Sequence, residues 1–294
     1  MKIGMVISGG DVSGINNFIF QIARLASADI TLFNGGIPGL LDKNHHEVAW
    51  RDLVDFSIAS IPIITSGRTS RRLLRSEYET IAKKIKSLRI DVLIMAGGDG
   101  SLQFLNTLSE FDINCFGVGM TIDNDVYGSD YTIGFSTACE QIIKEVSRLR
   151  NTGRALPGRV FMVEILGGYC GELTLQSAIK SNADIALIPE SQMPLETLAE
   201  RVKHKLTQQN SVVILCSEGY TREYSPGFQG AIDTMIKQLE PQIGVRIRKT
   251  IVGYGLRNGD PTCEEIYQGT IMASEVVRCI QSGMKNKENR VARA

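Results

Sequence analysis

The chain has 294 residues, 43% of them hydrophobic, and its 32 basic and 32 acidic side chains cancel. A length above the ~100–200 residues of one domain suggests two lobes. A net charge of zero excludes the bulk electrostatics of a nucleic-acid or membrane-surface binder. No apolar run is long enough to span a membrane, and residues 1–8 form a strand pattern with no leader before it, so the sequence reads as cytoplasmic. The six cysteines form no C-x-x-C pair and His45, His46 and His204 lack metal-ligand spacing; reduced thiols are expected, with neither a disulfide frame nor a zinc site.

Taken in chain order, short β-rich runs alternate with amphipathic helical stretches. Strands are expected at residues 2–8, 29–33, 91–96, 113–118, 159–165, 185–188 and 211–216. Helices are expected at 14–26, 76–88, 135–150, 195–208 and 264–281. This alternation predicts an α/β protein with two Rossmann-like lobes, largely parallel sheets and crossover helices. A long loop with Pro226 and two glycines is expected at 220–230, and a frayed polar tail at 283–294. A lobe boundary falls near Phe135.

Three turns carry chemistry. Ser8-Gly9-Gly10-Asp11-Val12-Ser13-Gly14 and Ala96-Gly97-Gly98-Asp99-Gly100-Ser101 each follow an apolar strand and precede a helix. Glycines there allow positive φ and close approach of phosphate oxygens to backbone N–H groups. Neither turn matches G-x-x-x-x-G-K-[ST] or G-x-G-x-x-G. The third, Thr121-Ile122-Asp123-Asn124-Asp125, puts two carboxylates at a strand end. One such group can serve as general base toward a hydroxyl, and another can hold Mg²⁺ on a phosphate chain. Alone, each turn reads more readily as tight βα geometry or helix capping; together they point to one acidic, glycine-bearing crevice. Arg68, Arg71, Arg72 and Arg75 form a local basic run, usually a solvated helix face but also suited to a polyanion.

These motifs, with Asp130-Tyr131-Thr132-Ile133-Gly134-Phe135, Tyr169-Cys170-Gly171 and Ile188-Pro189-Glu190, resemble the phosphofructokinase family across nearly the whole chain. The resemblance implies a donor-binding lobe at 1–134, completed by about 256–282, and a sugar-phosphate-binding lobe at 135–255. It implies transfer of the terminal phosphoryl group of ATP to the 1-hydroxyl of fructose 6-phosphate or a related sugar phosphate, with Mg²⁺ as cofactor, in a homo-oligomer (dimer or tetramer) with no nucleic-acid or membrane partner. Carried over by position, Asp123 is the catalytic base, flanked by Thr121 and Asp125. Gly10, Arg68, Arg72, Asp99, Gly100 and Ser101 bind the donor, with Asp99 as the metal ligand. Arg159, Leu166, Gly167, Glu218, Arg248, Tyr254 and Arg257 bind the acceptor, Arg159 and Arg248 from a neighbouring subunit. The chemistry is coherent, because phosphoryl transfer needs positioning, metal and cationic groups more than covalent steps.

The sequence departs from the family at several points. Gly168 stands where the family has an Arg aimed at the transferring group; Arg68, Arg71 or Arg72 is a candidate substitute. Gly119-Met120 matches neither the Pro-Gly of ATP users nor the Pro-Lys of pyrophosphate users, while Gly100 matches the ATP form. Phe104 replaces a Gly beside the nucleotide and is expected either to meet the base or to pack into the helix–sheet core. Tyr254 replaces a phosphate-binding His. Phe20 and Asn210 replace residues of the family's effector site, which Arg24, Arg51 and Arg150 still match. The given sequence ends soon after the helix at 264–281, so the last strand and helices of typical members are either absent or lie beyond it. The alternatives are the same fold using pyrophosphate or another phosphorylated acceptor, and a non-catalytic regulator binding sugar phosphate or nucleotide.

Overall fold

The computed structural model describes residues 1–42, 44–69, 71–224 and 230–284. Residues 225–229 of the predicted loop and 285–294 of the predicted tail therefore lie outside the described residues, and the start of that loop belongs to a 3-10 turn, Glu218–Tyr224. The chain divides into two compact units, one of Met1–Thr137 with Arg257–Ala294 and one of Ala138–Leu256.

The first unit begins with β1 (Ile3–Ser8), α1 (Ile15–Ala26), β2 (Ile30–Phe33), α2 (Gly36–Leu41) and β3 (His45–Val48). It continues through α3 (Arg75–Ser87), β4 (Val92–Gly97), α4 (Asp99–Ser109) and β5 (Cys115–Gly119). The sheet order is β3-β2-β1-β4-β5. All pairings are parallel except β2 with β3, which is antiparallel. Every residue of β1 and β4 is buried, as expected of strands covered on both faces. That continuous burial made them legible as apolar runs. β3 was not foreseen: its His-His-Glu-Val sequence has no apolar run, and such polar residues are typical of an edge strand that discourages further pairing.

Connections from β1 run to one side of the sheet and those from β4 to the other, so the order reverses between these neighbours. In open α/β sheets this switch point, at the carboxyl ends of the strands, is where ligands bind. Register places Ser8 beside Gly97 and Gly97 beside Gly119. All three glycine-bearing turns therefore leave adjacent strands at one edge.

α5 (Phe135–Ala155) opens in the first unit and continues into the second. The second unit holds β6 (Arg159–Ile165), α6 (Glu172–Ser181), β7 (Ile185–Leu187), α7 (Leu195–Gln208), β8 (Ser211–Ser217), α8 (Ala231–Ile243) and β9 (Ile247–Ile251). Its four strands are all parallel, in the order β7-β8-β6-β9. The core includes Val160, Met162, Val212, Ile214, Leu198, Val202, Met235 and Leu239. α6, α8 and β9 were not foreseen. β9 reads Ile-Arg-Lys-Thr-Ile, with too many polar residues to register as a strand. α9 (Cys263–Gln281) belongs to the first unit and packs on α1.

Candidate active site

A cleft of about 920 Å³ opens at the switch point of the first unit, lined by residues of all three turns together with Arg68, Arg71, Arg72, Phe104 and Arg257. Its floor depends on glycines. An added Cβ at Gly97 would stand 2.6 Å from the Ser8 carbonyl oxygen, so only Gly lets the two turns approach. Gly9 has φ of 110°, and its N–H donates to the Gly67 carbonyl at 3.3 Å. The Ser66 hydroxyl donates to the Gly9 carbonyl at 3.1 Å. The first turn is thus fastened to the Ser66-Gly67-Arg68 segment. Gly100 has nothing within 4 Å of an added Cβ; a side chain there would occupy cleft space.

Asp99 is the first residue of α4, where unpaired backbone N–H groups and the helix dipole favour an anion. Ser101, expected to bind donor, lines the cleft, and its hydroxyl donates to the Ser8 carbonyl at 3.3 Å within the buried contact between turns.

The third turn is braced internally. The Thr121 hydroxyl donates to the Asp123 carboxylate at 3.2 Å and accepts the Asp123 N–H at 3.2 Å. Asn124 takes a left-handed φ of 54°, a conformation Asn tolerates better than most residues. Its Oδ1 accepts from the Thr132 N–H at 2.8 Å. The Thr132 hydroxyl in turn donates to the Thr121 carbonyl at 2.7 Å. Asp125 lies outside the cleft lining. Its carboxyl is pushed up from the usual range, first by burial and then by the neighbouring Asp123 and Asp99 charges.

Behind this turn stands Glu265 of α9, fully buried. Its two oxygens accept from the Gly134 N–H at 2.7 Å, the Thr137 N–H at 3.1 Å and the Thr137 hydroxyl at 3.1 Å. Burial pushes its carboxyl up, and these donors oppose that. Thr262 caps α9 by accepting the Glu265 N–H at 3.1 Å. Sequence reading missed Glu265; the only signal was a carboxylate in the first turn of a helix, the commonest place for one.

The basic run is divided in its roles. Arg71 is committed to Glu77 by two bonds at 2.8 and 2.6 Å, which draw the Glu77 carboxyl down to about 2. That commitment removes Arg71 as the simplest substitute for the Arg missing at Gly168. Arg68 and Arg72 line the cleft, and the side chain of neither forms an ion pair among the described residues. Phe104 is only 5% exposed and belongs to the apolar core with Leu93, Met95 and Leu105. Its ring stacks on Tyr78 at 5.2 Å, and Tyr78 stacks on Phe111 at 6.0 Å. Phe104 packs into the apolar core and also forms part of the cleft wall.

The remaining predicted residues lie in the second unit. Glu218 follows β8 and its Oε1 accepts from the Gly167 N–H at 3.1 Å and the Gly168 N–H at 2.7 Å. It therefore holds the turn after Leu166, in which Gly167 and Gly168 have φ of 152° and 56°. Arg159 opens β6 and Arg248 lies on β9 beside Phe161. Side chains two apart on a strand share a face, so the two arginines occupy the same face at diagonal positions. Tyr254 is 77% exposed. Arg150, matched to the effector site, is bound to Asp184 at 2.8 Å and to the Asn182 carbonyl at 2.8 Å.

Comparison with known proteins agrees with this arrangement. The family described as "Phosphofructokinase" matches residues 2–280. An ATP-dependent 6-phosphofructokinase of Spiroplasma citri is 32% identical, over 96% of this chain and 85% of that protein. A pyrophosphate–fructose 6-phosphate 1-phosphotransferase of Thermoproteus tenax is 28% identical, over 96% of this chain and 87% of that protein. The solved phosphofructokinase of Saccharomyces cerevisiae superposes with a TM-score of 0.84 at 25% identity, over 96% of this chain. This chain spans 42% of the length of that yeast chain. Matched in sequence over residues 2–280, and with its three turns gathered on one switch-point cleft, the chain belongs to the phosphofructokinase family.

Proposed function

We propose that the protein transfers the terminal phosphoryl group of ATP to the 1-hydroxyl of fructose 6-phosphate or a closely related sugar phosphate. The observation that carries this reading is the cleft itself: Asp123 and Thr121, Asp99 and the arginines Arg68, Arg72 and Arg257 line one cavity. Asp123 takes the proton of the acceptor hydroxyl as it attacks, and the Thr121 hydroxyl fixes the carboxylate in place. Arg68 and Arg72 supply charge to the phosphate chain. Arg159 and Arg248 bind the 6-phosphate of the acceptor from a neighbouring subunit of a homo-oligomer. Tyr254 and the turn of Leu166 and Gly167, held by Glu218, complete the acceptor's surroundings.

Magnesium fits this donor set only together with the substrate. No group of three or more His, Cys, Asp or Glu able to hold a metal occurs among the described residues, whereas Mg²⁺ commonly uses one or two carboxylates plus substrate phosphates. Asp99 would hold the ion, which supplies neutralising charge to the phosphate chain. No described helix is long and apolar enough to cross a membrane, and a cytoplasmic enzyme is the reading that matches such a substrate.

The aromatic stack favours pyrophosphate as a second reading for the donor. Tyr78 and Phe104 line the cleft, yet the ring contacts between them cover faces that an adenine would otherwise use. Turnover by the purified full chain, measured with fructose 6-phosphate and either Mg–ATP or Mg–pyrophosphate, tests both. Saturable turnover with ATP supports the proposal. Turnover with pyrophosphate alone replaces the donor, and turnover with neither overturns the enzymatic reading.

A further inference from the structure

The bracing of the catalytic turn comes from a short segment that follows it. Residues 130–134 run beside residues 119–124: the Ile133 N–H donates to the Gly119 carbonyl at 3.0 Å, and Met120 and Ile133 form a parallel bridge. Thr132 stands in the middle of this contact, fully buried. Its N–H donates to Asn124 Oδ1 at 2.8 Å and its hydroxyl to the Thr121 carbonyl at 2.7 Å. Both partners bear on Asp123. The Thr121 hydroxyl bonds the Asp123 carboxylate, and Asn124 turns the chain directly after Asp123 with a left-handed φ. Gly119 makes room for the Thr132 methyl group: an added Cβ there would stand 2.9 Å from Thr132 Cγ2. The segment is itself fastened on its far side. The Gly134 N–H donates to the buried Glu265 at 2.7 Å. An added Cβ at Gly134 would stand 2.5 Å from Val12 Cβ, so the segment is seated against the first glycine turn. Thr121 and Asp123 line the cleft, whereas Thr132, Gly134 and Glu265 lie outside its lining. Any effect of Thr132 on the chemistry therefore passes through the turn that carries Asp123.

We infer that Thr132 is a positioning residue: anchored through Gly134 on Glu265, its N–H and hydroxyl set the aim of the Asp123 carboxylate at the acceptor hydroxyl. This rests on the proposed phosphotransferase reading, in which Asp123 is the general base. A base works only within hydrogen-bond reach of the proton it takes, and a displacement of about 1 Å can cost on the order of 10²-fold in rate. Thr132 is buried, so solvent does not take over its bond to Thr121 when the hydroxyl is replaced by a group of the same size. The turn is then free to shift, and with it the carboxylate.

Steady-state kinetics of the full chain test this, with fructose 6-phosphate and whichever of Mg–ATP and Mg–pyrophosphate the wild type uses. Thr132→Val keeps the shape and the N–H and removes the bond to the Thr121 carbonyl; Thr132→Ser keeps the hydroxyl and loses a methyl group. Thr132→Val is expected to lower kcat roughly 5- to 50-fold while both KM values stay within about twofold of wild type. Thr132→Ser is expected to keep about half or more of the wild-type kcat, because the hydroxyl carries the effect. A merely structural role would reduce the active fraction in any background, so the deciding measurement is the double variant. If Thr132 acts through the base, Thr132→Val/Asp123→Asn is no slower than Asp123→Asn alone within about twofold, since the two behave as one unit. Thermal melting checks each fold. If Thr132→Val is unfolded, Asn124→Gly carries the same cycle: glycine accepts the left-handed φ, and the bond to the Thr132 N–H is lost. An unchanged kcat in Thr132→Val, a Ser variant as slow as the Val variant, or losses that multiply in the Asp123→Asn background would each overturn the inference alone. A wild type that turns over with neither donor overturns the phosphotransferase reading itself.

Discussion

Asp123 sits where a general base has to sit, at the end of a buried strand and facing the cleft, with a hydroxyl fixing its carboxylate. Replacing it by Asn keeps the shape and the Thr121 bond but removes the proton acceptor. Asp123→Asn is expected to bind both substrates like wild type and to turn over roughly 10²–10⁴-fold more slowly; an unchanged kcat would remove Asp123 from the role. Its neighbour Asp125 carries a different signature. Burial, then Asp123, then Asp99, raise its carboxyl, so the folded chain holds this proton to a higher pH than the unfolded chain does. Stability therefore falls as pH rises from the ordinary carboxylate value through the raised one, and the penalty persists at neutral pH. Asp125→Asn should melt higher than wild type at pH 7, with the advantage vanishing below about pH 3.8, the ordinary value for Asp. A cluster of like charges that costs stability is typical of a site shaped for a cation or a proton transfer. Paired melting curves at pH 7 and pH 3.5 check the direction; a lower melting temperature for the variant at pH 7 contradicts it.

At the scale of elements, the first turn of α9 is the brace of the catalytic turn. Glu265 receives three donors from the start of α5, and an added Cβ at Gly14 would stand 2.5 Å from its Cγ, so its side chain fills the space between two glycine turns. In Glu265→Gln one oxygen still accepts, but the amide nitrogen faces the Thr137 N–H, donor against donor. The relief of a buried charge offsets part of this loss. The net expectation is a loss of about 1–3 kcal/mol, the usual effect of leaving a buried group unpaired, read by denaturant unfolding; a variant as stable as wild type would show the three bonds to be incidental. These elements also show what was legible. β1, β4 and β6 announced themselves because buried parallel strands are runs of apolar residues, and the turns after them because glycine and Asp have few other reasons to recur there. β9 was hidden because Arg248, Lys249 and Thr250 interrupt it, and α8 because Pro241 in its last turn reads as a break. Glu265 was hidden because what makes it important is a contact 131 residues away. Phe104 could not be settled from sequence, since a ring on a helix serves a core or a cleft equally well until its neighbours Tyr78 and Leu105 are known.

At the scale of the whole molecule, the second unit poses a question of reach. Arg159 opens β6 and Ile165 closes it; at about 3.3 Å per residue these ends are roughly 20 Å apart. Glu218 and Gly167 lie at the closing end, where Glu218 holds the turn that follows Ile165. The arginine end and the Glu218 end of the sheet are thus well separated along β6, which favours acceptor contacts drawn from two chains. If both ends bind acceptor, each chain serves two sites, lending its arginine end to a neighbour, which requires a closed homo-oligomer. Mixing two inactive variants tests this. Arg248→Ala chains keep Asp123 but lack the phosphate-binding arginine; Asp123→Asn chains keep the arginine but lack the base. Refolded or co-expressed together as dimers in equal amounts, about one site in four combines an intact Asp123 from one chain with an intact Arg248 from the other. Activity should then recover to about a quarter of wild type, although each variant alone is nearly inactive. A mixture no more active than the average of its two components, from chains shown to have exchanged, would place Arg248 and Asp123 of a single chain on the same acceptor and remove the need for the neighbour.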